Sequence, residues 1–484
     1  MKRNYFNIIL MLVICLMASA CKKFLEKEPI NRTGKLTLFE TVDGAKLAIN
    51  GAYNLMLTYN RSEFGLYGDL SSDNVIKSAT ATTALPLFNF TSTPGDDEFA
   101  AGHIWLNIYS ALNNVNNILE AVPGLKTKFP AQTSTLDSIY GQGLVMRALC
   151  HFDLSRTYAQ PYNFTADASH LGVPVLTKTP SPGAEVPRNT IKETYAQIVT
   201  DLQAALPFLQ QYANHTDQAS ISYQAALALL SRVYLYQGNW AQAASYATMV
   251  INDPVYKLAD QTNYKSQFLN TNTKGANPKI GVIFQYNNIP SGSSIPASTV
   301  FPIYSDATGA QYTASSKLLS LYDADDLRAN LFFVPSSGQN IGKVLSTKYG
   351  NGSLSTTTLT IKVIRLAELY LNRAEADWNL GKYTEAAEDL RIISQQAHPN
   401  RVITITYPSN ADLYRQIADE RNRELCFENH RFFDLVRRKE NLVRGGDCNA
   451  TTCSLTYPNN KFVLPITVKE LEANHAIIPN PGYN

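Results

Sequence analysis

Few residues of this 484-residue chain sit at spacings that perform covalent chemistry. There is no G-x-S-x-G nucleophile elbow, P-loop, G-x-G-x-x-G turn or H-E-x-x-H helix, so acyl transfer, nucleotide binding and zinc proteolysis have no motif to rest on. The seven His, at 103, 151, 170, 215, 398, 430 and 475, show no zinc-ligand spacing, and no metal or other cofactor is implied. Asp323-Ala324-Asp325-Asp326-Leu327-Arg328 suggests calcium by its acidity but lacks the alternating ligands and turn glycine of an EF-hand loop. It reads better as a helix-end cap with an Asp–Arg pair. The 40 acidic residues supply many carboxylate pairs of the kind a glycosidase uses, at distances that a sequence does not fix.

The cysteines say more. Lys2 and Arg3 precede an apolar run from Ile8 to Ala18, and Ala18-Ser19-Ala20 stands just ahead of Cys21. That is an export signal, too short for a spanning helix of about 20 residues. Leu16 to Cys21 resembles a bacterial lipobox, in which cleavage before the cysteine leaves it acylated and membrane-anchored. Residues 1–20 are therefore expected to be removed, and 21–40 to form a lipidated tether. Removal takes away Lys2, Arg3 and Cys15 and leaves 40 residues of each charge. A neutral chain with 17% charged residues and no basic block gives nucleic acid nothing to hold. Of the remaining cysteines, Cys448 and Cys453 flank a four-residue polar loop and are spaced for a local disulfide. Cys150 and Cys426 sit in apolar helical patterns and read as buried thiols.

The elements that must position any site are helical. Ser231 to Ala244 lies in register over Ala374 to Ala387, each with a small residue seven before a Gly, an aromatic two after it and paired Ala five and six after it. This resembles the tetratricopeptide pattern of helix, tight turn and helix. Periodicity adds His103–Val122 with Thr135–Tyr158, and Ile191–Leu209 with Ser222–Gln237. The expected fold is mostly α, a tetratricopeptide-like scaffold of about four helix pairs with long loop-rich insertions and a few short strands. The chain divides into an N-terminal part, 41–270, and a C-terminal part, 271–484. Residues 59–100 and 270–360 are rich in Gly, Pro, Ser, Thr and aromatics, with a strand-like run at Ile280–Tyr286. Loops of that length are usually functional. Trp105, Trp240 and Trp378 fall in helical periodicity and read as core.

Arg421-Asn422-Arg423-Glu424-Leu425-Cys426-Phe427-Glu428-Asn429-His430-Arg431-Phe432-Phe433-Asp434-Leu435-Val436-Arg437-Arg438 resembles the RRREL-FEGHRWFDLRR signature of the SusD/RagB family of outer-membrane nutrient-binding lipoproteins. Met146 to Tyr158 followed by Gly172-Val173-Pro174 is similar to another family segment, Asp73-Asn74 fits a further short element, and Leu464-Pro465-Ile466 through Asn480-Pro481-Gly482-Tyr483 is similar to the family's ending. Departures are Phe432 where the family often has Trp, and Pro479 in place of Gln. Arg and acidic residues mixed on an apolar helix are what buried ion pairs between stacked helices require, so Arg421, Arg431 and Asp434 read as fold determinants.

The resemblance implies a protein of the Gram-negative outer membrane, lipid-anchored at the cell surface through Cys21. It implies capture of an oligo- or polysaccharide without catalysis, and delivery to a SusC-like TonB-dependent transporter. A surface glycoside hydrolase and a scaffold binding only protein are the alternatives. Sugars offer apolar C–H faces and rings of hydroxyls, matched by aromatic platforms beside amides and carboxylates. Family members place such groups in loops near the first helix pair and after the central strand. Here those regions carry Tyr59, Arg61, Phe64, Tyr67, Asp69, Asp73 and Asn74, and then Tyr286, Asn287, Asn288, Phe301, Tyr304 and Tyr312. The expected ligand-binding residues are Tyr67, Asp73, Asn74, Tyr286, Tyr304 and Tyr312. As surface platforms, Tyr304 and Tyr312 would be replaceable by Ala with little thermal cost.

Overall fold

The computed structural model describes residues 35–97, 99–210, 217–268, 279–287, 303–306, 309–349 and 360–483. Its longer helices are α1 (Val42–Asn60), α2 (Glu63–Leu70), α3 (Ala101–Lys128), α4 (Thr133–Tyr158), α5 (Ile191–Leu209), α6 (Tyr223–Gln237), α7 (Trp240–Ile251), α8 (Leu366–Asn379), α9 (Tyr383–Ala397), α10 (Asn410–Leu425) and α11 (Arg431–Arg437). They stack in near-sequential order: α1 on α3, then each on the next from α3 through α9, with α10 closing against α8 and α9. The signal and residues 21–34 of the expected tether, Cys21 included, lie outside the described residues, while Lys35–Leu38 form a short helix. Among the described residues no helix is long and apolar enough to cross a membrane.

Local chemistry starts and stops these helices. Thr190 and Glu193 form a reciprocal capping box at the start of α5, and Ser222 caps α6 by accepting from the Ala225 N–H. The two segments aligned by sequence are α6–α7 and α8–α9. Their turns pass through Gly238 at φ +73° and Gly381 at φ +76°, a left-handed conformation in which a side chain would be strained. The aligned small residues sit where the helices approach: Ser231, Ala243, Ala374 and Ala386 are fully buried, and the Ser231 hydroxyl donates to the Ala243 carbonyl at 2.9 Å. Helix α4 is buried almost all round from Leu144 onward because α3 and α5 flank it, so its apolar residues follow no single stripe.

Strands are short. β1 (Val75–Lys77) pairs antiparallel with β3 (Tyr312–Ala314), and β2 (Val282–Asn287) pairs antiparallel with β4 (Thr360–Arg365) across a register shift near Phe284. The largest core cluster extends from Val42 to Ile477, so both halves of the chain build it. Trp105 is buried, while Trp240 and Trp378 are half-buried against core clusters. Cys448 and Cys453 are bridged; Cys150 and Cys426 are buried thiols.

The Arg421–Arg438 segment forms a buried ionic spine. Arg421 pairs with Asp434 at 2.8 Å, Asp434 with Arg437 at 2.8 Å, and Glu375 of α8 receives Arg437 and Arg438, each at 2.5 Å. A second knot joins Arg328 to Asp326 and Glu420 at 2.8 Å each, and Arg365 to Glu424 at 2.7 Å and Glu428 at 2.6 Å. Asp326 also accepts from the Arg328 backbone N–H at 2.8 Å, the cap and Asp–Arg pair that the sequence suggests. Such charges stay ionised inside because each is paired and hydrogen-bonded.

Candidate functional site

The six expected ligand residues all lie beneath the surface, each against its own neighbours. Tyr67, on α2, is 1% exposed and packs edge-on against Phe432 and Phe433 at 5.4 and 5.6 Å. Tyr304 is 0% exposed, edge-on to Phe427 at 5.2 Å and stacked on Tyr349 at 6.2 Å. Tyr286 on β2 lies edge-on to Phe284 at 5.0 Å, and the buried Tyr312 on β3 donates its hydroxyl to the Thr83 carbonyl at 2.7 Å. Burial pushes the Tyr304 and Tyr286 hydroxyls well above the usual phenol range. Asn288 and Phe301 lie outside the described residues.

Asp73 and Asn74 are likewise inside. Asp73 takes a two-pronged contact from Arg431, at 2.7 and 2.9 Å, and a third from the Lys317 ammonium at 2.8 Å. Burial alone would raise its pKa, but Arg431 and then Lys317 hold it well below the carboxylate range. Asn74 and Asn422 exchange amide hydrogen bonds at 2.8 and 3.1 Å. These groups tie the first loop region to the signature segment, and none of the six offers a face to solvent in this structure. The expectation of a surface platform is therefore corrected. A loop rich in aromatics is also what lines a core, and composition does not separate the two. Tyr304→Ala and Tyr312→Ala should each cost about 3–5 kcal/mol, in line with other large core truncations, and lower the thermal transition visibly in calorimetry.

A further tie was not legible in the sequence. Phe427 and Asn429 adopt φ +60° and +62°, and the buried Asp69 carboxylate accepts from both of their N–H groups, at 3.1 and 3.0 Å. The Asn429 side chain accepts from the Gly68 N–H at 2.5 Å, and a Cβ at Gly68 would meet that side chain at 2.4 Å. The signal was Asn at a strained turn, since Asn tolerates the left-handed region better than most residues.

Three loops around β1 and β3 make a face at the surface. The 78–84 loop is anchored by Gln311, whose side-chain oxygen accepts from the Thr82 and Thr83 N–H groups at 2.9 and 2.8 Å. The Thr80 hydroxyl donates to Gln339 of the 334–343 loop at 2.8 Å, beside the exposed Val334 and Ile341. The disulfide-closed 445–453 loop docks through Asn449, which exchanges hydrogen bonds with the Lys77 backbone at 3.0 and 2.7 Å, and through Thr451 on Asn89. Thr80, Thr82, Gln339, Asn449 and Thr451 are exposed there. Uncharged hydroxyls and amides beside aliphatic side chains suit a neutral polyhydroxylated ligand. A separate cleft of about 320 Å³ is lined by Trp105, Tyr109, Asn113, Pro174, Glu470 and Asn474. Its Trp105 ring is only 5% exposed and abuts Tyr158 at 4.9 Å, so this cleft offers little open aromatic surface.

Two family models match the chain. One, described as starch-binding and associating with the outer membrane, covers residues 23–235, and the SusD family model covers residues 233–483. SusD-like protein P2 of Formosa agariphila is 26% identical over 98% of this chain and 99% of its own length. A SusD superfamily crystal structure from Bacteroides thetaiotaomicron superposes with a TM-score of 0.81 at 26% identity, covering 91% of this chain and 100% of that one. A Bacteroides vulgatus protein whose name proposes sugar binding has the same TM-score and identity, with 92% and 99% covered.

Proposed function

The chain belongs to the SusD/RagB family, and on that premise we propose that it is a cell-surface lipoprotein that captures a glycan and passes it to a SusC-like TonB-dependent transporter, without hydrolysing it. It would be held at the outer membrane through acylated Cys21. The observation that carries the reading is the family match spread over nearly the whole chain, including a half described as starch-binding and associating with the outer membrane. The chemistry of the loop face supports it: exposed amides and hydroxyls from three loops can exchange hydrogen bonds with sugar hydroxyls.

In this reading the ligand meets Thr80, Gln339 and Asn449, and the buried Tyr312 helps fix the 78–84 loop through its bond to the Thr83 carbonyl. The double variant Thr80→Ala, Gln339→Ala should weaken retardation in polysaccharide-containing native gels several-fold. Its thermal transition should shift by no more than about 0.5 kcal/mol, as usual for exposed positions. Unchanged retardation would move the ligand away from this face.

A further inference from the structure

His398 caps the C-terminal end of α9 with its side chain 7% exposed, and the two ring nitrogens have opposite fates. Nδ1 lies 2.7 Å from the Ser394 carbonyl, which only accepts, so Nδ1 carries a proton. Nε2 is buried with no hydrogen-bond partner among the described residues, and it faces acidic side chains from the 323–326 turn. It stands 3.7 Å from Asp323 Oδ2 and 3.9 Å from Asp326 Oδ2, too long for a hydrogen bond. Donor atoms of Asp323, Asp325 and His398 all lie within 4.8 Å of one another. Neighbouring ligands on one tetrahedral zinc ion are about 3.4 Å apart, given metal–ligand bonds of about 2.0–2.2 Å.

We propose that Asp323, Asp325 and His398 form a binding site for a divalent transition ion, zinc or manganese. One imidazole with two carboxylates favours these over calcium, which takes oxygen ligands almost alone. The Nδ1–H bond to a backbone carbonyl is the outer contact that orients metal-binding histidines. Asp326 is committed to Arg328 and stays a neighbour. Arg401 now bridges Asp323 at 2.6 Å and Asp325 at 3.1 Å, on a side chain 45% exposed. It holds the place of a cation and has room to swing away. The ion would pin the 323–326 turn to the end of α9, beside the buried Arg328–Glu420 knot.

The test is calorimetric titration of zinc and manganese chlorides into the chelator-treated chain beginning after Cys21. One saturable site is expected. Asp325→Asn, at an exposed position that leaves the metal-free thermal transition unchanged, should weaken it at least tenfold. Arg401→Gln should tighten it, and His398→Gln should abolish it. No binding up to millimolar ion would overturn the proposal. So would affinity unchanged in both Asp325→Asn and Arg401→Gln, which would mean an adventitious ion elsewhere.

Discussion

Replacing Asp434 by Ala should lower stability by about 3–5 kcal/mol and the thermal transition by about 3–5 °C. The side chain is 4% exposed and neutralises Arg421, which is 0% exposed, together with Arg437. Its removal leaves two guanidinium groups inside the protein with one carboxylate fewer. By contrast Arg391→Ala breaks an exposed pair with Glu388, 38% and 53% exposed, and should shift the transition by no more than about 1 kcal/mol. Calorimetry of the two variants side by side separates a buried ionic spine from surface decoration. If Asp434→Ala melted like the parent, the spine would be no determinant of the fold.

These pairs, together with a buried one between Arg232 and Glu368 at 2.6 Å, fix a pH dependence. Burial pushes Glu368, Glu420 and Glu428 up, but adjoining Arg charges outweigh it and hold each at about 2; Asp434 and Glu375 lie lower still. All are below the value of about 4.3 for an unfolded Glu or 3.9 for an Asp. Their contribution is therefore complete above about pH 5 and lost as pH falls toward 2. Circular dichroism along an acid titration should show a cooperative loss of helix in that window.

The second large effect concerns the anchor. Cys21→Ala should move essentially all of the protein from the membrane fraction to the soluble one. Acyl chains account for the attachment in our proposal, and no described helix is long and apolar enough to cross a membrane. Fractionation of cells expressing both forms checks this, and retention of the variant would mean a different anchor.

Much of the scaffold was legible because it rests on local rules. Gly238 and Gly381 mark turns, 3.6-residue periodicity marks the helices, and small residues at fixed spacing mark close approach of helices. Arg421, Arg431 and Asp434 were legible as structural because charges on an apolar helix must find partners. The site was not legible to the same degree. Tyr67 and Tyr312 occur in segments composed like binding loops, yet α2 carries Phe64, Leu66 and Leu70 beside Tyr67 and goes inside as a unit. Thr80 meets Gln339 across 259 positions, and His398 faces Asp323 from 75 positions away. Spacing arguments reach a few helical turns, and contacts of that separation are set by topology.

The measurement that bears most directly on the account is retardation of the chain beginning after Cys21 through native gels containing plant, host and microbial polysaccharides, with a reducing-sugar assay on the same mixtures. We predict retardation by one class of polysaccharide with no release of reducing ends. Passage unretarded through every gel, or release of reducing ends from the retarding polysaccharide, would contradict it.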